Sequence, residues 1–329
     1  MQSFGGFVVS LDFELHWGVR DHLTIGQYRD NLLGVRKAIP AMLELFVRYG
    51  IHATWATVGF LFLQNRDELM DSLPEELPVY CDTRLDPYAA LSELGWDEEE
   101  DPFHYAPSLI QKILTCEGQE IGTHTFSHYY PLAEGPTLES FRSDLESAKN
   151  VAHRYGITLK SIVFPRNQVS QLHLQVCSEC GLIAYRGTGN DPWICKENDS
   201  YARFMRLADS CLYLGSSRCM TPYRDPIYTI VDVPQSRFLR PWSSAQRVLA
   251  PMQLKRILAS MDAAAKNNRI FHLWWHPHNF GVHLEKNMTV LTHIANHYLY
   301  LHEKMRWPSL TMSEIAEIVL REERPSCVA

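Results

Sequence analysis

Residues 5–17 of the chain, GGFVVSLDFELHW, place a short apolar run directly before two carboxylates. The run Phe7–Leu11 has the length and composition of a buried strand in a parallel sheet. Residues two apart in a strand point to the same side, so Asp12 and Glu14 can face one pocket. The segment therefore predicts a core strand that carries a pair of acidic groups to one edge of a sheet.

Outward from this strand, amphipathic and apolar stretches alternate along the chain. Residues Asn31–Tyr49 carry apolar side chains at helical spacing and are followed by Gly50, a residue type common at helix C-termini. Short apolar segments such as ATWATVGF (residues 53–60) and RIFHLWWHP (residues 269–277) have the character of buried strands. This alternation predicts an α/β fold, in which a parallel sheet is covered by helices and a β/α barrel is the favoured arrangement.

One stretch departs from the alternation. Residues from about 73 to 107 are rich in proline, aspartate and glutamate, which predicts an irregular insertion outside the core. The chain shows no internal repeat and no clean linker. We therefore expect a single domain that spans residues 1–329.

The bulk composition narrows the classes of function. A formal net charge of -7 disfavours a nucleic-acid-binding protein, because phosphate recognition needs a basic face. No segment reaches the roughly 18 consecutive apolar residues of a membrane helix, so we do not expect an integral membrane protein. The first residues lack the features of a signal peptide, and the eight cysteines are irregularly spaced, which is typical of reduced thiols. We therefore expect a cytoplasmic location.

Two histidines four residues apart follow a later strand. They are His124 and His128 in EIGTHTFSH, and both can meet one ion if the chain turns after the strand. In a chain with 15 histidines such a pair arises by chance, so it is a weak signal by itself. A carboxylate from another strand end would complete a three-ligand site with a position left for water, as in catalytic zinc sites. Glu14 has the longer reach, and Asp12 would then stay beside the water as its base.

Two further strand ends carry groups that suit proton transfer. Arg166 in FPRNQ is always charged and would keep Asp12 ionised and oriented, with an ordinary surface ion pair as the alternative. His276 in HLWWHPHNFG ends an apolar strand, and its ordinary pKa suits protonation of a leaving amine near neutral pH. His278 is a rival for that role, and the two histidines can alternatively form a metal-binding pair of their own.

In chain order, the segments DFE, HTFSH, FPRN and HPHN resemble the motif series of the polysaccharide deacetylase superfamily. This is the NodB-homology, or carbohydrate esterase family 4-like, superfamily. The likeness runs from the first strand to the strand that ends at His276. It implies a distorted, TIM-like barrel of seven strands and the metal-assisted hydrolysis of an N- or O-acetyl group.

The resemblance also implies a role for each matching residue. Asp12 would be the base, His276 the acid, and Arg166 the residue that orients the base. One divalent ion, for which we expect Zn²⁺ with Co²⁺, Mn²⁺ or Ni²⁺ as alternatives, would be held by Glu14, His124 and His128.

Two positions depart from the common pattern of the superfamily. Phe13 follows Asp12 where many members have a second aspartate, so the chain matches the Asp-x-Glu variant. Pro165 precedes Arg166, whereas the arginine more often comes first.

The implied partner is an acetylated sugar or glycan, either at the cell surface or as a precursor. Trp17 and Trp193 are predicted to stack on sugar rings, with His278 and Asn279 as further substrate contacts. Core packing is an equal alternative for Trp193, and it is the favoured prediction for Trp275, which lies within an apolar strand.

Three other functions fit parts of the pattern. One is an amidohydrolase of the same superfamily that acts on a small amide, as allantoinase-like members do. Another is an iron-dependent oxygenase, which also uses two histidines and one carboxylate but is usually built on an all-β fold. A catalytically inactive sugar-binding relative is disfavoured, because the predicted base, acid and metal ligands are all present.

Overall fold

The core of the protein is a curled, mostly parallel sheet, and the computed structural model describes residues 4–189 and 219–322. The strands are β1 (Gly6–Phe13), β2 (Ala53–Thr57), β3 (Gln119–Thr123), β4 (Ser161–Ile162), β5 (Ala184–Tyr185), β6 (Tyr223–Arg224), β7 (Val231–Asp232), β8 (Arg237–Phe238), β9 (Ile270–Trp275) and β10 (Ser309–Leu310). The helices are α1 (Ile25–Tyr49), α2 (Arg66–Asp71), α3 (Pro107–Leu114), α4 (Leu138–Arg154), α5 (Gln171–Glu179), α6 (Ala250–Lys266), α7 (Leu284–Met305) and α8 (Met312–Glu322).

The sheet curls until its two ends meet. Its strand order is β6-β7-β5-β4-β3-β2-β1-β9-β8, and β10 pairs with β1. Strands β7 and β8 belong to one stretch, residues 231–238. The backbone N–H groups of Val233 and Gln235 donate to the segment that begins with β5, and that of Ser236 donates to β9. This stretch links β5 to β9. With β7 and β8 counted as one strand, β1–β5, that strand and β9 close a barrel of seven strands, to which β6 and β10 are added. The predicted α/β class and distorted, TIM-like barrel are therefore confirmed.

The register of the strands brings the predicted site residues to one level. Leu11 pairs with Trp275, and Phe13 is linked through β2 to Thr123. The residues that follow these positions therefore lie together at the carboxyl edge of the barrel, and they are Asp12, Glu14, His124 and His276. Active sites of β/α barrels are found at this edge.

Helix α8 closes the opposite end of the barrel. Its Met312 and Ile315 pack with Val8, Val231 and Ile270 in one buried cluster. Strand β10, immediately before α8, pairs with the start of β1. Apolar side chains are therefore packed under α8 at the amino-terminal end of the barrel, and the predicted site residues lie at the opposite, carboxyl end.

Helix α1 covers the outer face of the barrel. It begins earlier than the predicted Asn31, at Ile25, because Thr24 and Gln27 form a capping box. It ends at the predicted Gly50, which has a φ of 60°. The buried residues of α1 recur at helical spacing from Leu32 to Phe46, as the sequence predicts.

The segment between α2 and α3 covers much of the predicted insertion. Its regular structure is limited to short 3-10 turns at Thr83–Leu85 and Leu91–Glu93. The segment is anchored near the end of β1, where the ring of His104 packs against Trp17. Within the described ranges we find no helix that combines the length and the apolar character needed to span a membrane.

Candidate active site

Two carboxylates and three histidines converge at the carboxyl edge of the barrel. The Nε2 atoms of His124 and His128 lie 3.2 Å and 3.1 Å from the same oxygen, Oε2 of Glu14. On the other side, Nε2 of His276 lies 3.5 Å from Oε1 of Glu14 and 3.8 Å from Oδ2 of Asp12. The structure therefore brings together the five groups that the sequence predicts as ligands, base and acid.

The donor set of Glu14, His124 and His128 fits a divalent cation. One ligand atom from each residue lies within 4.8 Å of the others, and all three side chains are buried. Nδ1 of His124 donates to the carbonyl oxygen of Val163 at 2.7 Å, so a neutral His124 turns the lone pair of Nε2 toward the carboxylate. Facing acceptors of this kind repel one another unless a cation or a proton lies between them. Two imidazoles and one carboxylate are a ligand set that zinc accepts.

The backbone after β3 makes the two histidines face the same point. Thr125 and His128 have φ values of 64° and 58°, in the left-handed region that L-residues seldom occupy. The hydroxyl of Thr125 accepts the N–H of Tyr129 at 2.7 Å and holds this turn closed. The turn that two histidines four apart require is therefore present.

A buried carboxyl on α4, Asp144, supports the same turn. It accepts the backbone N–H groups of Phe126 and Ser127 at 2.7 Å and 3.1 Å, and also the hydroxyl of Ser127. Burial raises the pKa of Asp144 to about 7, although these hydrogen bonds act in the opposite direction. Asp144 supports the site but is not predicted from the sequence, because nothing in the α4 pattern marks this position.

Arg186, at the end of β5, holds the carboxylate of Asp12. Its Nη1 and Nη2 donate to the two carboxylate oxygens at 2.6 Å and 2.8 Å, and both side chains are buried. Burial raises the pKa of Asp12, but the guanidinium charge and its hydrogen bonds outweigh that effect, so the pKa lies below its ordinary value. Asp12 is therefore held as an oriented, ionised carboxylate.

The predicted pairing of Arg166 with Asp12 is wrong. Arg166 pairs with Asp21 instead, because left-handed φ values at Arg166 and Asn167 turn this loop toward the segment after β1. The FPRN motif still reaches the site through Asn167, whose side-chain oxygen accepts Nη2 of Arg186 at 3.2 Å. The signal for Arg186 was the same as for the other site residues, a polar group directly after an apolar strand, LIAYRG.

Arg186 is positioned by a chain of buried hydrogen bonds. Its Nη1 donates to the hydroxyl of Ser10 at 3.1 Å, and that hydroxyl donates to Nε2 of His272 at 2.8 Å. Nδ1 of His272 in turn donates to the carbonyl oxygen of Val233 at 3.0 Å. Burial lowers the pKa of His272 to about 3, so this ring is neutral and accepts from Ser10 at neutral pH. Because Nε2 of the neutral His272 can only accept, the hydroxyl of Ser10 donates to it, and the Ser10 oxygen is left to accept from Arg186.

His276 is the most open of the converging side chains. Its side chain is 25% exposed, whereas those of Asp12 and Glu14 are 5% exposed. The side-chain amide of Asn279 lies 3.4 Å from Nδ1 of His276 and can donate to it. This contact favours the tautomer with the proton on Nε2, the nitrogen that faces the carboxylates. Burial raises the pKa of Glu14, but the positive charge that His276 and the neighbouring imidazoles carry when protonated holds this pKa well below its ordinary value.

His278 lies behind His276 and is a poor rival for the role of acid. The two rings are 5.3 Å apart, and Tyr28 packs edge-on against His278. Burial lowers the pKa of His278 to about 3, so it carries no proton to donate near neutral pH. His278 is only 3% exposed, so little of its side chain is accessible for the predicted contact with substrate. Asn279, the other predicted contact, is half-buried, and its side-chain oxygen accepts the hydroxyl of Tyr28.

The predicted stacking of Trp17 on a sugar ring is wrong. This ring is 2% exposed and packs on Phe60, and its indole N–H donates to the carbonyl oxygen of His104. Trp275 is buried, as its position within an apolar strand predicts. Trp193 lies outside the described residues. The half-buried aromatic rings beside His276 are instead Phe238 and Trp274, each with its centroid 5.8 Å from the imidazole.

Gly18 also belongs to the site, because the Glu14 side chain lies against it. A Cβ at this position would come within 2.0–2.5 Å of the Glu14 carboxyl group. Any residue larger than glycine at position 18 would therefore displace the Glu14 carboxylate from this orientation.

Comparisons of the sequence with protein-family models and with curated proteins gave no match. Solved structures do share the fold. A protein described as a polysaccharide deacetylase from Mycobacterium smegmatis has a TM-score of 0.59 and 13% identity, with 98% of this chain and 93% of that chain covered. A second one, from Pseudomonas aeruginosa PAO1, has a TM-score of 0.57 and 12% identity, with 98% and 92% covered.

PuuE allantoinase is similar to about the same degree. Its TM-score is 0.54 at 11% identity, with 98% of this chain and 91% of that chain covered. At these identities the likeness concerns the fold. The predicted resemblance is confirmed at that level: the chain has the NodB-type fold of the polysaccharide deacetylase superfamily.

Proposed function

We propose that the protein is a metal-dependent hydrolase that removes the acetyl group from an N-acetylated sugar. The observation that carries the proposal is the convergence of Glu14, His124 and His128 beside an arginine-held Asp12 and a half-open His276. The substrate would be a cell-surface glycan or its precursor. The proposed reaction would break a C–N bond and belong to carbohydrate metabolism.

Glu14, His124 and His128 would hold the metal ion, for which we propose Zn²⁺. A divalent ion in such a site supplies Lewis acidity toward the acetyl carbonyl and lowers the pKa of a water molecule. Co²⁺, Mn²⁺ and Ni²⁺ accept the same ligand types and are the alternatives.

Asp12 would act as the base. Its carboxylate is ionised because Arg186 lowers its pKa, and the bidentate contact with Arg186 fixes its direction. Nε2 of His276 lies 3.8 Å from Asp12 and 3.5 Å from Glu14, so a water molecule held beside Glu14 would lie near both proton-transfer groups. Asp12 would take the proton from that water as the water attacks the acetyl carbon.

His276 would donate a proton to the departing nitrogen. For this step the ring must be an imidazolium, which gives up its Nε2 proton and becomes a neutral imidazole, and the exposure of the ring gives a substrate access to it. The products are then a free amino sugar and acetate. Phe238 and Trp274 would supply the aromatic surface against which a sugar ring packs.

An allantoinase-like hydrolase that acts on a small amide is the second candidate, favoured by the similar fold of PuuE allantoinase. Both candidates break a C–N bond with the same side chains, and only the substrate distinguishes them. The iron-oxygenase alternative loses support, because the chain is a β/α barrel and not an all-β fold.

The test is release of acetate from a panel of N-acetylated monosaccharides, nucleotide sugars and glycans, with allantoin as the small-amide arm. We expect acetate release that a chelator abolishes and that added Zn²⁺ restores. His124→Ala should lower the rate by more than about a hundredfold, because loss even of a group that only orients a ligand costs 10–100-fold.

His153→Ala is the matched control, since His153 is exposed on α4. It should retain full activity and the same unfolding temperature. Full activity in His124→Ala, or turnover of allantoin without any acetate release, would contradict the deacetylase assignment.

A further inference from the structure

Two arginines flank one buried tyrosine beside the proposed metal ligands. The guanidinium carbon of Arg166 lies 4.5 Å from the ring centroid of Tyr130, and that of Arg20 lies 5.7 Å from it. The same tyrosine ring packs edge-on against His128, with centroids 5.1 Å apart. We name Arg20, Tyr130 and Arg166 the arginine rim.

The charges of the arginine rim are only partly compensated. Arg166 is paired with Asp21. Arg20 donates to the backbone carbonyls of Trp17 and Leu85, and no carboxylate pairs with it in the part of the chain that the structure describes. Within the described residues the guanidinium charge of Arg20 therefore has no direct carboxylate partner next to the site.

Polar hydrogens of the rim are also left without partners. The hydroxyl of Tyr130 and the Nε–H of Arg20 are buried and make no hydrogen bond to any of the residues that the structure describes. Buried donors of this kind are normally satisfied, so each is a position where a ligand oxygen would bind. Arg166 and Asn167 adopt left-handed φ values of 53° and 52°, and backbone strain of this kind occurs at functional sites.

We propose that the arginine rim binds an anionic oxygen group of the substrate, a phosphate or a carboxylate, next to the acetyl group that is removed. The inference rests on the proposed deacetylase function and adds the class of sugar to it. Guanidinium groups match the geometry of both anions through paired N–H donors. A neutral acetylated sugar would leave the charge of Arg20 and the buried donors of Arg20 and Tyr130 unsatisfied.

The test compares three compounds that share an acetamido sugar. N-acetylglucosamine 1-phosphate carries a phosphate, N-acetylmuramic acid carries a carboxylate, and N-acetylglucosamine is neutral. Their binding to the Zn²⁺-loaded protein is measured by calorimetry, and their hydrolysis by acetate release. We expect the wild type to prefer one of the two charged compounds, which identifies the anion, and the preference should weaken with added salt.

Arg20→Gln and Arg166→Gln should each weaken binding of the preferred charged compound about tenfold and leave that of N-acetylglucosamine unchanged. If Arg20→Gln does not fold because the contacts with the Trp17 and Leu85 carbonyls are lost, Arg20→Lys takes its place. The lysine keeps the charge but not the paired N–H donors. Arg321→Gln is the control, since Arg321 is 78% exposed on α8, at the opposite end of the barrel. It should bind all three compounds like the wild type.

The proposal is overturned if the wild type shows no preference for a charged compound, or if the rim variants lose charged and neutral compounds equally. The two assays separate this outcome from failure of the proposed function. A charge preference in binding without any acetate release would refute the deacetylase and leave the rim standing. Release of acetate from all three compounds at equal rates would refute the arginine rim as an anion site and leave the proposed deacetylase function standing.

Discussion

At the scale of single residues, the identity of the arginine beside Asp12 decides how the base is controlled. Arg186 binds both carboxylate oxygens, stacks on Trp274 at 4.2 Å and is itself held by Ser10. A lysine in its place would keep the charge but not the two parallel hydrogen bonds or the stacking. The position of the carboxylate, and not only its pKa, therefore depends on this guanidinium.

We predict that Arg186→Lys lowers kcat on a neutral acetylated substrate about tenfold or more, because a charge-assisted bidentate contact is lost. The pKa of Asp12 should rise, since the remaining charge is less well placed, and the acid limb of the rate profile should move to higher pH. Rates measured across pH test both effects. Arg166→Lys is the matched control, and an equal loss of kcat in that variant would contradict the assignment of Arg186.

At the scale of elements, α1 and the turn after β9 touch backbone to backbone. A Cβ on Gly34 would come within 2.3 Å of the carbonyl oxygen of Gly281. The turn Pro277–Phe280, which ends at Gly281, follows His276 directly. The position of the proposed acid therefore depends on how closely α1 can approach, and a glycine within the helix permits this approach.

Gly34→Ala should destabilise the fold by about 1–3 kcal/mol, the usual cost of overpacking, although alanine favours a helix by about 1 kcal/mol. It should also lower activity, because His276 moves with the turn. Gly26→Ala is the control. It changes the helix propensity of α1 in the same way but creates no steric clash, since the nearest atom to its added Cβ lies 4.0 Å away. Chemical denaturation of both variants gives the comparison, and similar stabilities would refute the close-approach argument.

At the scale of the whole molecule, several histidines are buried or half-buried and neutral near pH 7. Burial lowers their pKa values to about 4 or about 3, and they are His16, His128, His173, His272 and His278. An unfolded histidine has a pKa of about 6.5, so below that pH the unfolded chain binds more protons than the folded one. Asp144 and Asp232 act in the opposite direction, because burial raises their pKa values to about 7 and about 6.

The histidines outnumber the two carboxyls, so the free energy of unfolding of the metal-free protein should fall as the pH is lowered from about 6.5 to about 4. His173→Gln should reduce this slope by up to about 1.4 kcal/mol per pH unit, because it removes one such proton. His173 lies on α5 and is 8% exposed. Denaturant unfolding at several pH values measures the slope, with the exposed His153→Gln as control. Equal slopes in both variants would refute the role of burial.

Much of the fold and of the site could be predicted from local features of the sequence. Apolar runs and helical spacing depend on residues near one another in the chain, and so β1, β9 and the C-terminus of α1 were expected where they are found. In a parallel barrel all strands end at the same edge. The polar groups after separate strands, Glu14, His124 and His276, were therefore expected together. The prediction of a single domain stays a prediction.

What only the tertiary structure decided is which side chains reach across the barrel and which are covered. Arg166 and Arg186 both follow apolar strands, and their local sequences do not say which of them meets Asp12. The curvature of the sheet carries Arg186 through the interior to β1, while a left-handed loop turns Arg166 outward to Asp21. Likewise Trp17 is buried by a segment far along the chain. Pairing and burial depend on distances between remote segments, and these exist only once the barrel has closed.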